Sequence, residues 1–225
     1  MAKISVTILN ADWANISADL KKIEKLGADY LHYDVMDGRF VPNITYGPYL
    51  QECVRRATRL PIETHMMVTD PERFAEEFAK AGSSVFVVHY EACTDMERTI
   101  AELKKRKLKI GIAISPNTTV ESIDRFVRLH EMEIRMIMGV RPGFGGQAFI
   151  PSTLQKVHQA RRMVDRMRIR TLIEVDGGID EETGKQCLDA GADVLGVGSF
   201  VAKNLGSKKV ADFVKMVHAH KREKR

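Results

Sequence analysis

Residues 25–38, with the sequence KLGADYLHYDVMDG, contain the pattern that decides the fold. A helical stretch closes at Leu26-Gly27-Ala28, where a glycine suits the left-handed turn that ends a helix. An apolar and aromatic run follows over Tyr30–Met36, typical of a buried β-strand, and polar residues stand at its end. A helix, a glycine turn and a strand in this order form the repeating unit of a parallel α/β fold.

The same unit recurs along the chain. Ala81-Gly82-Ser83 and Ala190-Gly191-Ala192 are further glycine joints in front of strands. Eight stretches are predicted as strands: Ile4–Leu9, Tyr30–Met36, Pro61–Val68, Val85–Tyr90, Lys109–Ser115, Met136–Val140, Thr171–Asp176 and Val194–Gly198. Eight alternating units in 225 residues favour an α/β fold of the (β/α)8 TIM barrel type, as a single domain over residues 1–225. A Rossmann fold is disfavoured because no G-x-G-x-x-G motif follows the first strand.

Composition narrows the possible partners and the compartment. No apolar run approaches the roughly 20 residues of a membrane span, and the N-terminus lacks the pattern of a signal peptide, so we expect a cytoplasmic protein without a membrane partner. The net charge is +5, with the surplus concentrated in His218–Arg225. A nucleic-acid-binding tail is one interpretation of this segment, but cations in the last turn of a terminal helix, which interact favourably with its dipole, are the preferred one. We therefore expect no nucleic-acid partner.

Reactive side chains concentrate where the predicted strands end. His32 and Asp34 share one face of the second strand because strand side chains alternate, and His65 and Asp176 lie near the ends of the third and seventh strands. The active sites of TIM barrels lie at this edge. Two histidines and two aspartates suit a divalent metal ion such as Zn, Fe(II), Mn or Co. The alternative is that they cap the barrel mouth without chemistry.

Glycines concentrate in the loops after the last three strands. Loops at this place commonly bind phosphate in TIM barrels, and glycines allow backbone N–H groups to approach an anion closely. The alternative for each loop is an ordinary turn. The predicted phosphate-binding residues are Gly143, Phe144, Gly145 and Gly146 after the sixth strand, Gly177 and Gly178 after the seventh, and Gly198 and Ser199 after the eighth.

Three methionines lie near the same strand ends: Met36, Met67 and Met138. Methionine inside a barrel is usually filler. A ring of soft apolar groups around a metal ion is the other interpretation, since it would exclude water from the site.

These segments, taken together, resemble the ribulose-phosphate 3-epimerase family. The resemblance covers the chain from the first strand to the eighth, and it lies in HYDVMDGRFVPN (32–43), NITYGP (43–48), HMMV (65–68), PGFGGQ (142–147), VDGG (175–178) and Gly198-Ser199.

The resemblance implies a metal-dependent isomerase of the pentose-phosphate pathway. It implies that His32, Asp34, His65 and Asp176 bind one divalent ion per subunit and that His65 also contacts the substrate. Asp34 and Asp176 would also be the acid/base pair that inverts C3 of D-ribulose 5-phosphate through an enediolate, giving D-xylulose 5-phosphate. The metal would bind the C2 and C3 oxygens, the methionines would surround the enediolate, and the glycine loops would bind phosphate. Homo-oligomers are expected from the family.

Two departures leave the sugar open. The family usually has Pro-Ser-Ile-Leu in the first strand, where this chain has Val6-Thr7-Ile8-Leu9, so Thr7 keeps a hydroxyl for substrate but adds a methyl group. Arg141 replaces a small, polar or acidic residue. The alternative substrate is a six-carbon ketose phosphate such as D-allulose 6-phosphate.

Other classes fit the sequence less well. Decarboxylases and synthases of related barrels carry a D-x-K-x-x-D motif at a strand end, and Schiff-base aldolases need a lysine there; none of the predicted strands has either. A metal-binding module without activity is the non-enzymatic alternative, and a deuterium label at C3 would distinguish the two.

Overall fold

The protein is a closed eight-stranded barrel in a computed structural model that describes residues 1–130 and 132–221. Every strand pairs in parallel with the next one along the chain, and the last pairs with the first. The strands are β1 (Lys3–Thr7), β2 (Tyr30–Met36), β3 (Ile62–Met67), β4 (Ser83–His89), β5 (Lys109–Ile114), β6 (Ile134–Met138), β7 (Leu172–Asp176) and β8 (Val194–Val197). All eight predicted strands are present, with ends that differ by at most two residues.

Helices connect the strands and cover the outside of the barrel. Among the described residues they are α1 (Ile16–Leu26), α2 (Pro48–Ala57), α3 (Ala75–Lys80), α4 (Met96–Lys105), α5 (Asp124–His130), α6 (Thr153–Met167), α7 (Glu181–Ala190), α8 (Ser199–Asn204) and α9 (Lys208–Ala219). One α-helix lies between each pair of consecutive strands, and α8 and α9 follow β8. This order confirms the (β/α)8 TIM barrel.

The helix ends follow the sequence signals. Gly27 ends α1 and Gly191 ends α7, with φ angles of 88° and 111° that other residues rarely adopt. At the start of α7, the Asp180 side chain accepts hydrogen bonds from the backbone N–H groups of Glu182 and Thr183. The strong N-terminal cap after β7 fixes the short loop that begins at Gly177.

Alternation along the strands separates the barrel interior from the helical layer. In β2, Leu31 and Tyr33 belong to the large core beneath the helices, whereas Tyr30 belongs to a smaller cluster inside the barrel. The register then places the polar residues next to one another: Thr7 pairs with His32, and Asp34 with His65. These side chains therefore meet at the carboxyl rim.

Two expectations from the sequence concern membrane-spanning helices and the basic segment at the C-terminal end. No helix within residues 1–130 and 132–221 is both long and apolar enough to cross a bilayer. In the basic segment His218–Arg225, His218 lies in α9 and its Nε2 is 2.9 Å from Asp29 Oδ2. Because α9 ends at Ala219, Lys221 lies beyond the last turn, and residues 222–225 fall outside the described part.

Candidate active site at the barrel mouth

Four side chains converge at the carboxyl rim of β2, β3 and β7. His32, Asp34, His65 and Asp176 each contribute one donor atom to a group in which all four atoms lie within 4.8 Å of one another. All four residues are buried, Asp176 being the most exposed at 9%. The structure thus brings together the four residues that the sequence predicts as ligands.

The spacing of the donor atoms fits one small ion. Asp34 Oδ1 lies 3.2 Å from His32 Nε2 and 3.1 Å from His65 Nδ1. The two nitrogens are 3.2 Å apart, and Asp176 Oδ2 lies 3.8 Å from His65 Nδ1 and 4.0 Å from His32 Nε2. Ligands about 2.0–2.1 Å from a tetrahedral zinc ion are roughly 3.3–3.4 Å apart. The donors of His32, Asp34 and His65 therefore suit a divalent ion with N/O ligation, and Asp176 Oδ2 lies farther from both nitrogens.

The two aspartates have opposite electrostatic surroundings. Burial would raise the pKa of Asp34, but the positive charge and the hydrogen bond of His32 outweigh burial and hold the pKa well below its usual range. Burial and the negative charge of Asp34 raise the pKa of Asp176 to about 7, against the opposing effect of His32. One carboxylate thus favours the ionised form and the other the protonated form.

The two histidines differ in the same way. Burial lowers the pKa of His65 to about 4. Burial also opposes the charged form of His32, but Asp34 and Asp176 raise its pKa well above the ordinary value. His65 is accordingly the neutral imidazole of the pair in the metal-free protein, and His32 would release its proton on binding a metal ion.

Thr7 lies where the sequence predicts a substrate contact. Its Oγ1 donates a hydrogen bond to Asp34 Oδ2 at 2.5 Å and accepts one from the backbone N–H of Leu9 at 3.2 Å. Its methyl group faces Gly198, where an added Cβ atom would come within 2.6 Å of Thr7 Cγ2. The hydroxyl therefore orients Asp34, and the methyl group requires a glycine after the neighbouring strand β8.

A cavity at the mouth is lined by every predicted substrate residue except His65. It is lined by Thr7, Asp34, Met36, Met67, Met138, Gly143, Phe144, Gly145, Gly146, Asp176, Gly177, Gly178, Gly198 and Ser199. His32 and His65 lie beneath it, fully buried. Asn10, Arg141 and Gln147 also line this cavity. Among its described lining residues, Arg141 is the only cation.

The loop backbones are shaped to leave this cavity open. Gly177 and Gly178 both have positive φ angles, of 98° and 72°. A Cβ atom on Gly178 would lie 2.7 Å from the Cα atom of Phe149, so no larger residue fits. Asn43 Nδ2 donates to Gly143 O at 2.9 Å, and Gln147 Nε2 donates to Arg141 O at 2.7 Å. The first bond joins the β6 loop to the loop that follows β2, and the second stabilises the β6 loop internally.

The three methionines do not form one cluster. Met36 and Met67 are paired in register and pack with Val41, whereas Met138 belongs to the apolar cluster inside the barrel. All three nevertheless line the cavity. Met36 and Met67 line it from β2 and β3, and Met138 lines it from β6, which does not neighbour those two strands.

The sequence reasoning missed a second layer of polar residues beneath the mouth. Glu63 Oε2 lies 3.4 Å and Glu174 Oε1 lies 3.9 Å from His32 Nδ1, and His89 Nε2 lies 2.8 Å from His65 Nε2. All three residues are fully buried. The signal was present in the strand period, since Glu63 and Glu174 each stand two residues before a predicted ligand and so share its face.

Sequence comparisons match the chain to one protein family. Residues 3–202 match the model of the Ribulose-phosphate 3 epimerase family. The Ribulose-phosphate 3-epimerase of Bacillus subtilis is 43% identical over 210 residues, which cover 93% of this chain and 96% of that protein. The Escherichia coli protein of the same name is 37% identical, with coverages of 93% and 92%.

Solved structures with low sequence identity share the fold. Phosphoribosyl anthranilate isomerase from Thermus thermophilus superposes with a TM-score of 0.68 at 15% identity, covering 97% of this chain and 100% of that one. A 3-hexulose-6-phosphate synthase gives 0.62 at 18% identity, with coverages of 96% and 98%.

Proposed function

The chain belongs to the ribulose-phosphate 3-epimerase family and is an isomerase, and we propose that it interconverts D-ribulose 5-phosphate and D-xylulose 5-phosphate with one bound divalent ion per subunit. The observation that carries the proposal is the pair Asp34 and Asp176. They converge on one cavity, and their pKa values are displaced in opposite directions. Two titratable groups tuned apart in one site supply the acid and the base of a proton-transfer reaction.

The metal assignment rests on the donor set. His32, Asp34, His65 and Asp176 would hold the ion, because they offer two imidazole nitrogens and two carboxylate oxygens with spacings of 3.1–4.0 Å. Such an ion supplies Lewis acidity that stabilises negative charge developing on substrate oxygens. The N/O donor set suits Zn, Fe(II), Mn and Co alike.

The protein's own groups would move two protons. The ionised Asp34 carboxylate takes the proton from C3 of the ketose, and the electron pair of the broken C–H bond passes into the enediolate. The protonated Asp176 then returns a proton to C3 from the opposite face, so the configuration inverts. Each turnover leaves Asp34 protonated and Asp176 ionised. These protonation states suit the reverse reaction. Proton exchange with solvent restores the ionised Asp34 and the protonated Asp176 for the next forward turnover.

The cavity walls support this chemistry. Met36, Met67 and Met138 present thioether and methylene surface to the enediolate, which excludes water and strengthens electrostatic interactions there. Backbone N–H groups of the loops at 143–146, 177–178 and 198–199 would bind the phosphate. Arg141 lines the same cavity and adds a positive charge that favours an anionic substrate.

A six-carbon ketose phosphate is the second candidate substrate. It is favoured by Thr7 and Arg141, which change the wall of the cavity where the family usually has serine and a residue without positive charge. Epimerisation at C3 of D-allulose 6-phosphate would use the same two aspartates.

Assembly and location are further parts of the proposal. Ile44, Tyr49 and Leu50 are exposed apolar side chains close together in sequence, and Ile44 and Tyr49 are more than 70% exposed. An apolar surface of this kind fits contact with a second copy of the chain, in line with the predicted homo-oligomer. We further propose a cytoplasmic protein of the pentose-phosphate pathway, acting on a small-molecule substrate without nucleic-acid or membrane partners.

The test compares the two sugars directly. Metal-loaded protein is assayed with D-ribulose 5-phosphate and D-allulose 6-phosphate, and incorporation of deuterium from D2O at C3 is followed by NMR. We expect kcat/KM to be at least tenfold higher for the five-carbon sugar, a difference of about 1.4 kcal/mol. The variants Thr7→Ser and Arg141→Asn serve as controls for the cavity wall. The reverse preference would identify the six-carbon sugar as the substrate. If neither sugar incorporated deuterium at C3, only a binding role would be left.

A further inference from the structure

A row of hydrogen-bonded side chains runs from His65 away from the mouth. His65 Nε2 lies 2.8 Å from His89 Nε2, and His89 Nδ1 lies 3.4 Å from Glu91 Oε2. Both histidines are fully buried, and their nearly parallel rings meet at the Nε2 atoms, with planes inclined by 26°. The row therefore connects a proposed metal ligand on β3 with a carboxylate that follows β4.

The two oxygens of Glu91 have different partners. Oε1 accepts a hydrogen bond from the backbone N–H of Ser115 at 2.8 Å and another from the Thr118 hydroxyl, whereas Oε2 faces His89. Lys156 holds the same loop in place by donating to the carbonyl oxygens of Ser115 and Thr118. Because the backbone N–H of Ser115 can only donate, the side-chain atom of residue 91 that faces it must be an acceptor.

Glu91 is an acceptor at neutral pH. Burial would raise its pKa, but the hydrogen bonds from His89, Thr118 and Ser115 lower it to about 2. An ionised carboxylate offers no proton to a neighbour. Glu91, the residue of the row farthest from the mouth, therefore determines which atoms donate and which accept along the row.

The direction of the first bond determines the others. Since Glu91 accepts, His89 carries its hydrogen on Nδ1 and leaves the lone pair of Nε2 free. That lone pair accepts from His65, so His65 carries its hydrogen on Nε2. The remaining nitrogen, Nδ1 of His65, then presents a lone pair to the mouth, where it lies 3.1 Å from Asp34 Oδ1. Asp34 alone would favour the opposite tautomer, with the hydrogen on Nδ1.

We propose that Glu91 and His89 are positioning residues that fix the tautomer of His65 and thereby present its Nδ1 lone pair to a divalent cation. This inference rests on the metal-dependent function proposed above. A hydrogen bond to the outer nitrogen of a histidine ligand selects its tautomer and its ring orientation. Here a second histidine transmits that selection from a carboxylate on the neighbouring loop.

The variants Glu91→Gln and Glu91→Ala test the direction of the row. In Glu91→Gln the amide oxygen must serve the Ser115 N–H, so the NH2 group faces His89 Nδ1 and donates to it. His89 then carries its hydrogen on Nε2, and the row reverses. Glu91→Ala imposes no direction. Glu76→Gln is the control for lost charge, because Glu76 is exposed on the outside of α3, where it forms an ion pair with Lys80.

Two measurements are made on each protein. Long-range 15N–1H NMR spectra of the metal-free protein assign the tautomers of His65 and His89, and competition with a chromogenic chelator gives the Kd for Zn²⁺. We expect Nε2–H on His65 and Nδ1–H on His89 in the original protein, and the reverse in Glu91→Gln. The Kd should rise about tenfold or more in Glu91→Gln and less in Glu91→Ala, with no change in Glu76→Gln.

The order of the variants separates this role from a merely structural one. If Glu91 only supported the loop, the isosteric Glu91→Gln would be the milder substitution, and that result would overturn the inference. Nε2–H on His89 in the original protein would overturn it even if no variant folds. The spectra need no metal, so they remain decisive if the protein proves not to bind Zn²⁺, which would contradict the proposed function instead.

Discussion

The two halves of the barrel interior differ sharply in chemistry. The inward side chains of β1, β2, β3 and β7 are mostly polar or ionisable: Ser5, Thr7, His32, Asp34, Glu63, His65, Glu174 and Asp176. Those of β4, β5, β6 and β8 are mainly apolar and form one cluster with Tyr30: Val85, Val87, Ala113, Ile134, Met136, Met138 and Val194. His89 and Glu91 lie at the boundary between the halves.

The buried ionisable groups of the polar half, formed by β1, β2, β3 and β7, lower the stability of the fold. Burial, together with the negative charge of Glu63, raises the pKa of Glu174 well above its ordinary value. Several of its polar atoms, including both carboxylate oxygens of Glu174 and Nδ1 of His32, have no hydrogen-bond partner among the described residues. Buried groups of this kind destabilise a fold unless they are satisfied. The apolar half and the helical layer offset that cost, so the barrel separates stability from function by strand.

The largest expected effect is on catalysis, in the polar half. Asp34→Asn and Asp176→Asn should each lower kcat about 100- to 10,000-fold, because each removes one of the two proton-transfer groups. Steady-state kinetics of the metal-supplemented variants, with circular dichroism to verify folding, would measure the loss. Met136→Leu is the matched control in the apolar half. Should Asp176→Asn retain more than a tenth of the activity, the two-base assignment would be wrong.

The next effect is on stability, in the apolar half. Met136 is fully buried inside the barrel, and Met136→Ala should lower the free energy of unfolding by about 2–5 kcal/mol through lost contacts and a cavity. Met136→Leu conserves volume and should cost less than about 1.5 kcal/mol. Urea denaturation of the two variants gives the difference. A large fall in kcat for the folded Met136→Ala protein would break the separation between the two halves.

The strand order was predictable, whereas some strand ends were not. The sixth strand was expected over Met136–Val140, but β6 begins at Ile134 and ends at Met138. Arg135 concealed its start, since an arginine within a strand suggests a surface position. Its side chain is fully buried and pairs with Asp124 at 2.5 Å. That partner lies at the start of α5, and only the tertiary fold brings the two together.

The same limit applies to the site. His32, Asp34, His65 and Asp176 were identified because they stand at strand ends within a family pattern. Glu63, His89 and Glu91 were not, because a single ionisable residue in a strand gives no sign of its partner. The contact between His65 and His89 depends on the pairing of β3 with β4, where the register shifts near Ile62. Such a register is a property of the packed barrel.

The smallest expected effect is on the free energy of unfolding of the metal-free protein, which the buried Asp176 lowers at high pH. Its pKa rises from 3.8 to about 7 on folding because of burial and the charge of Asp34. Between these values the folded protein holds a proton that the unfolded chain has released, so its stability falls as the pH rises through this window. Asp176→Asn removes the titration. The variant should therefore be more stable than the original protein at pH 8, by on the order of 2 kcal/mol, and nearly equal to it at pH 4.

Chelator-treated samples of the two proteins, unfolded by urea between pH 4 and pH 8, would measure this difference in stability. Saturating Zn²⁺ provides the internal control, because the variant lacks one of the four proposed ligands, so the ion should stabilise the original protein more and reverse the sign of the difference. Equal stability of the two metal-free proteins at pH 8 would mean that the polar half tolerates the charge of Asp176 without cost, and the contrast between the halves would then rest on packing alone.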